Sequence, residues 1–356
     1  MNPLLRVLAA FIGVFLIAAV LRSVCQVAVN RRSGDWLAHR IGWLVHTTLA
    51  RRALNRQSYT GIQDVMAWAL PFYILLLIVS WFSFVVAGFS LLIWSSQSEP
   101  SLLQAVISSG SALSTLGFRT PQNTAGQLLA IGEGAMGLGI VVFYFTFIPG
   151  FQTTIQSRQD KVAWLYRRGG SGLTNFALLE WFLLCGANDW NGLWEDWESW
   201  FRDLGETHAL TPILAFVPTI HPGQTWLVAA AVALDSVSLY RSVLEERAIP
   251  SANVCFRTGV DALRLIASKL PSPRGASKLV SGRCLARHTF DAACEQLTAS
   301  GAEVNPDRDA CWIRFAELRG EYEASLLSLA GSLLVPVQDS LLLPLASAEA
   351  QVETAT

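Results

Sequence analysis

The chain has 356 residues, a net charge of −1, a mean hydropathy of +0.39 and only 15% charged residues. Soluble domains carry about 25% charged residues, so the shortfall points to lipid contact, and near-neutrality gives no general electrostatic case for nucleic acid. Six scattered cysteines (Cys25, Cys185, Cys255, Cys284, Cys294 and Cys311) form no CxxC pair, and Cys284 with His288 lacks a second pair, so neither a disulfide framework nor a metal site is indicated.

A span needs roughly 20 mainly apolar residues. Leu4 to Val24 qualifies, with Arg6 and Arg22 near its ends where long stems can snorkel. A cleaved signal peptide is the alternative; the run exceeds the usual apolar core of about 7–15 residues and has no evident A-x-A site. Next comes a basic linker with Arg31, Arg32, Arg40, Arg51, Arg52 and Arg56. Within it Leu37, Ile41, Leu44 and Thr48 fall at helical spacing beside Trp36 and Trp43. The pattern suits either a helix on the inner leaflet or an ordinary helical connector.

Val65 to Trp94 is the clearest span, since no charge occurs between Asp64 and Glu99. Another starts near Gly126 and is completed by Leu138 to Pro149. Arginines flank the spans unevenly: Arg22 to Arg56 precede the second, Arg158, Lys161, Arg167 and Arg168 follow the third, and only Arg119 lies between. Both basic flanks are therefore expected in the cytoplasm, with the N-terminus and residues 94–126 outside.

Ser101 to Phe118 (SLLQAVISSGSALSTLGF) is charge-free but too short to cross and return. A half-helix that dips in and leaves as irregular backbone fits, and such backbone is allowed at membrane depth only where it is buried or lines water. The order span, half-helix, Thr-x-Gly-Phe, span is the plan of a cation pore.

Residues 65–157 resemble the pore domain of the two-transmembrane potassium-channel superfamily, with Thr115, Leu116, Gly117 and Phe118 at its filter signature. The runs SGSALSTLGF, IGEGAMGLGIVVFYFTFIPGF and SRQDKVAWLYRRGG also resemble a group of bacterial membrane proteins catalogued as ion-channel-like. The resemblance implies a homotetramer in the cell inner membrane. Four loops would coordinate a monovalent cation through backbone carbonyls, with Ser111 and Ser114 supporting the filter. The chain departs from the family at Arg119 and Thr120, where Gly and an acidic residue are usual. The missing Gly would have supplied a left-handed conformation. A single-glycine filter also looks like those of potassium uptake transporters of the Trk/Ktr kind.

Four copies of Arg119 at an outer mouth would repel cations. Glu133 is the expected partner: its 25 steps to Arg158 cover about 37 Å of helix, placing it near the outer end of the third span. Independent solvation of both residues is the alternative. Gly132, Gly134, Gly137 and Gly139 match no dinucleotide fingerprint in context. Close helix packing explains them, with a gating bend at Gly134 and Gly137 as the alternative.

Gly169 to Gly172 marks a boundary, and a soluble, mainly helical domain is expected to follow. Its expected helices are Leu173–Cys185, Asn191–Leu204, Thr225–Glu246, Ser251–Leu270, Ser281–Ser300 and Asp309–Leu334, with a loop at 271–278 and a disordered tail from Asp339. Trp190, Trp194, Trp197 and Phe201 form an aromatic stripe that reads as core or helix seam rather than a ligand cage. Asp235 and Arg241 argue against a fourth span at Trp226 to Leu234. No catalytic set emerges, and neither an enzyme nor a cofactor is expected.

The expectation is an all-α membrane protein in four parts: 1–64, a first span and basic linker; 65–157, a pore domain; 158–338, a cytoplasmic helical domain; 339–356, a tail. Its expected function is a tetrameric pore-loop cation channel. The rival is a non-conducting membrane scaffold or sensor that retains the fold.

Overall fold

The computed structural model describes residues 3–29, 35–56, 58–169, 173–186, 189–221, 223–244, 250–270 and 285–337. Gly170 to Gly172, the 271–278 loop, Cys284 and the tail from Asp339 lie outside them. Among the described residues the chain is all-helical, without strands.

Twelve α-helices follow in order: α1 Pro3–Val29, α2 Trp36–Ala53, α3 Tyr59–Met66, α4 Ala69–Ser95, α5 Leu102–Leu113, α6 Thr124–Gly169, α7 Ala177–Leu184, α8 Trp190–Leu210, α9 Trp226–Val243, α10 Pro250–Lys269, α11 Arg287–Ala299 and α12 Arg308–Leu333. They divide into two compact units, Met1–Thr47 with Leu70–Thr153, and Thr48–Ala69 with Thr154–Thr356.

In the first unit α1 and α4 approach closely at glycine. A Cβ on Gly13 would stand 2.7 Å from the Gly88 carbonyl oxygen, and one on Gly88 would stand 2.9 Å from Ile17. Small residues at such crossings replace the hydrophobic drive that lipid removes. Polar groups close the same core. Trp81 Nε1 donates to Ser23 Oγ at 2.8 Å, and Ser23 Oγ donates to Asp35 at 2.6 Å. The aromatic ladder Trp81, Tyr144, Phe143, Phe147 continues along α6 with centroids 5.1–6.2 Å apart.

The second unit is built around α9. Every residue of α9 except Arg241 is buried, because α7, α8, α10 and α12 pack around it. A helix that is apolar on all sides needs such a jacket or a bilayer. Among the described residues, four stretches are long and apolar enough to cross a membrane. The most apolar 18-residue windows of Pro3–Val27, Tyr59–Ser95 and Thr124–Gly169 are only 17%, 33% and 22% buried by protein, whereas Trp226–Val243 is 94% buried. The fourth therefore satisfies its apolar surface inside the protein.

The aromatic stripe of α8 belongs to this core, with Trp194, Trp197 and Phe201 fully buried. Gly259 of α10 lets α8 come near: a Cβ there would lie 3.0 Å from the Phe201 ring and 2.8 Å from Leu234. At the centre Asp235, fully buried, accepts from Asn175 Nδ2 at 2.8 Å, Arg319 Nη1 at 2.5 Å and Tyr322 Oη at 2.5 Å. That set of donors compensates the buried charge.

Residues Thr48–Ala69, expected as the end of the basic linker and the first residues of the second span, pack with the second unit. Gln63 explains this. Its Nε2 donates to the Gln224 carbonyl at 2.9 Å, and its Oε1 accepts from Gly223 N–H at 2.9 Å.

Candidate functional site

The site lies in the first unit, between the end of α4 and the start of α6. Its two ends are stitched together. Asn123 Nδ2 donates to the Ser96 carbonyl at 3.0 Å, Gln122 N–H donates to the Ser98 carbonyl at 3.1 Å, and Ser98 Oγ reaches Asn123. Gly126 is required at this seam, since a Cβ would fall 2.4 Å from Ser98 Oγ.

The stitch holds α5 in place. Ser101 caps it in extended backbone, its hydroxyl accepting from Gln104 N–H. After twelve residues the helix stops at Ser114, whose hydroxyl donates to the Gly110 carbonyl at 2.6 Å. The chain then turns sharply through Thr115 at φ 59° and Gly117 at φ 64°. Left-handed backbone is ordinary for Gly117 but rare for a β-branched Thr. Arg119 does not share it and carries no such strain.

Ser111 anchors this loop. Its carbonyl accepts from Gly117 N–H at 3.2 Å and its hydroxyl accepts from Arg119 N–H at 3.0 Å. All peptide bonds here are trans. In a trans peptide the preceding carbonyl points opposite to the N–H. The carbonyls of Leu116 and Phe118 therefore point away from α5, on the open side of the loop. Among the described residues, no group donates to the carbonyls of Thr115, Leu116, Gly117 or Phe118. All four residues are exposed on the single chain, Leu116 at 71% and Phe118 at 68%.

Behind the loop sit two carboxyl groups, both fully covered. Glu99 meets Arg119 as a two-pronged pair, Nε to Oε1 at 3.1 Å and Nη2 to Oε2 at 2.8 Å. Ser108 Oγ adds a bond to Oε1 at 2.5 Å. These donors hold the Glu99 carboxyl below its ordinary range, the Arg119 bond contributing most. The expected partner of Arg119 was Glu133, and the structure pairs it with Glu99 instead. Glu133 lies on α6 against the other side of α5, where Ser109 Oγ bonds its Oε1 at 2.5 Å, and its Oε2 is buried without a partner. Ser108 and Ser109 are adjacent on α5 and so face different neighbours.

Gly134 and Gly137 also serve this contact. A Cβ on Gly137 would lie 2.5 Å from Leu113 Cδ1, and one on Gly134 would lie 3.4 Å from the Ala112 carbonyl. α6 runs unbroken through both positions. Gly132 and Gly139 face open space.

Sequence reasoning missed Glu99. The signal was available, because Glu99 and Arg119 are the two charged residues between Asp64 and Glu133. Among the described residues no cluster of three or more metal-ligating side chains occurs. No family model, curated protein or solved structure matches this chain, so the functional reading rests on the geometry alone.

Proposed function

We propose that the chain assembles as a homotetramer in a cell membrane and conducts a monovalent cation, with the Thr115 to Phe118 segments of four copies lining the filter. One observation carries this reading: the N–H groups of Gly117 and Arg119 turn back onto Ser111, and the carbonyls of Leu116 and Phe118 face outward without a donor among the described residues. Four such loops around an axis would present rings of carbonyl oxygen, the ligand that replaces a cation's water shell. A single chain leaves those carbonyls and the Leu116 and Phe118 side chains uncovered, which favours neighbouring copies around the loop.

The Glu99–Arg119 pair removes an objection. An arginine neutralised by a buried carboxylate adds little net positive charge to the mouth. In this reading α1, α4 and α6 are the membrane spans, with the loop outside and the second unit in the cytoplasm. The unit would stabilise the assembly or regulate the pore.

The test is reconstitution of the purified protein in liposomes, with potassium, sodium and chloride flux measured separately. Cation flux that Thr115→Ala and Gly117→Ala both reduce is expected. No flux, or flux indifferent to both changes, leaves the rival reading of a non-conducting scaffold or sensor. A monomer by native mass spectrometry sinks the four-fold pore outright.

A further inference from the structure

The second unit contains a groove of about 550 Å³ beside the C-terminal end of α9 and one face of α12. It is lined by Arg241, Arg314, Ile313, Leu318, Glu317 and Glu321. The volume falls within the roughly 300–1,000 Å³ range of small-molecule sites.

Arg241 is the unusual member. Its guanidinium rests over the Phe256 ring at 4.4 Å. Two of its nitrogens, Nε and Nη1, are sealed from water and, among the described residues, meet no acceptor. Positive charge from Arg314 of α12 and Arg257 of α10 falls on the same group, and Glu321 opposes it. Yet neither acidic residue bonds Arg241; Glu321 stands 4.0 Å from Arg264 instead. An arginine with unmet donors beside a second arginine lacks one thing, an oxyanion.

We propose that this groove binds the oxyanion group, phosphate or carboxylate, of a small molecule. Arg241 and Arg314 clamp the anion. Arg241 swings from its seat on Phe256 to gain the acceptors it lacks, while Ile313 and Leu318 contact an apolar part of the ligand. Glu317 and Glu321 repel polyanions, so a ligand with a single anionic group is selected over a nucleic acid strand. The site is independent of whether the membrane unit conducts.

The experiment uses the full chain in detergent at constant ionic strength. Inorganic phosphate and acetate are titrated separately against chloride, with thermal unfolding and calorimetry as readouts. The expected result is a saturable stabilisation by at least one of the two anions, with its midpoint raised about tenfold in Arg241→Gln and Arg314→Gln. Glu317→Gln should lower the midpoint, an effect that a purely structural role for these residues would not produce. Saturation by phosphate alone identifies a phosphoryl ligand, and by acetate alone a carboxylate. A shift that follows ionic strength, or that survives both arginine changes, overturns the proposal. Should Arg241→Gln fail to fold, Arg314→Gln decides, because Arg314 lies on the partly exposed face of α12.

Discussion

Acidification should destabilise the second unit through one histidine. His208, on the last turns of α8, is 1% exposed, and its Nε2 lies 3.0 Å from Arg158 Nη1. A guanidinium can only donate, so Nε2 accepts, the ring is neutral, and its proton sits on Nδ1, within 3.0 Å of Thr207 Oγ1. Burial, and then the charge of Arg158, holds the His208 pKa well below its ordinary value. Because the folded pKa is depressed, the unfolded chain binds the extra proton first. The associated stability is present above about pH 6.5 and is lost as pH falls from there towards the folded value. The slope in that window is bounded by the uptake of one proton, on the order of 1 kcal/mol per pH unit. His208→Gln keeps an acceptor for Arg158 but does not titrate. Thermal unfolding of both proteins in detergent across this range isolates the effect from the other histidines. The variant should carry a constant packing offset from the Trp226 contact at 5.5 Å and lose the extra acid slope. Parallel pH profiles for the two proteins would refute the assignment of a neutral, buried acceptor.

Glu99→Gln should impair tetramer yield or flux, because it leaves Arg119 facing a neutral amide. The double exchange Glu99→Arg with Arg119→Glu should restore part of the loss in the liposome assay, whereas Glu133→Arg should not rescue Arg119→Glu. Gly117→Ala introduces no steric contact, since nothing lies within 4 Å of the added Cβ. Its cost is therefore conformational, about 1–2 kcal/mol, readable as a modest loss of thermal stability alongside any change in flux. Asp235→Ala strands Arg319, which is fully buried, and should cost about 3–5 kcal/mol, seen as loss of folded protein by fluorescence-detected size exclusion.

The helices were legible because each carries its own local signals. The stretch expected at Asp309–Leu334 is observed as Arg308–Leu333, capped by the Asp307 side chain. Thr225, the expected first residue, likewise caps α9, which begins one residue later at Trp226. Contacts between elements were not legible in the same way. Gln63 reaches the backbone of Gly223 and Gln224, roughly 160 positions away, and no composition or periodicity marks a glutamine for that role. The left-handed turn at Thr115 is hidden for a similar reason: Thr is a residue that propensity places elsewhere, and its conformation is imposed by the Ser111 anchor.

The choice of partner for Arg119 failed differently, because depth along one helix was used where charge balance across the whole segment was decisive. Besides Glu99 and Arg119, no charge lies between Asp64 and Glu133, and an unpaired charge beside apolar spans is costly. Mutual pairing is the arrangement that leaves neither exposed to that cost. Glu133 stands apart on α6, where the hydroxyl of Ser109 bonds one of its carboxyl oxygens. The same reasoning explains why α5 presents two adjacent serines: each serves one of two carboxyl groups that the loop must keep on opposite sides.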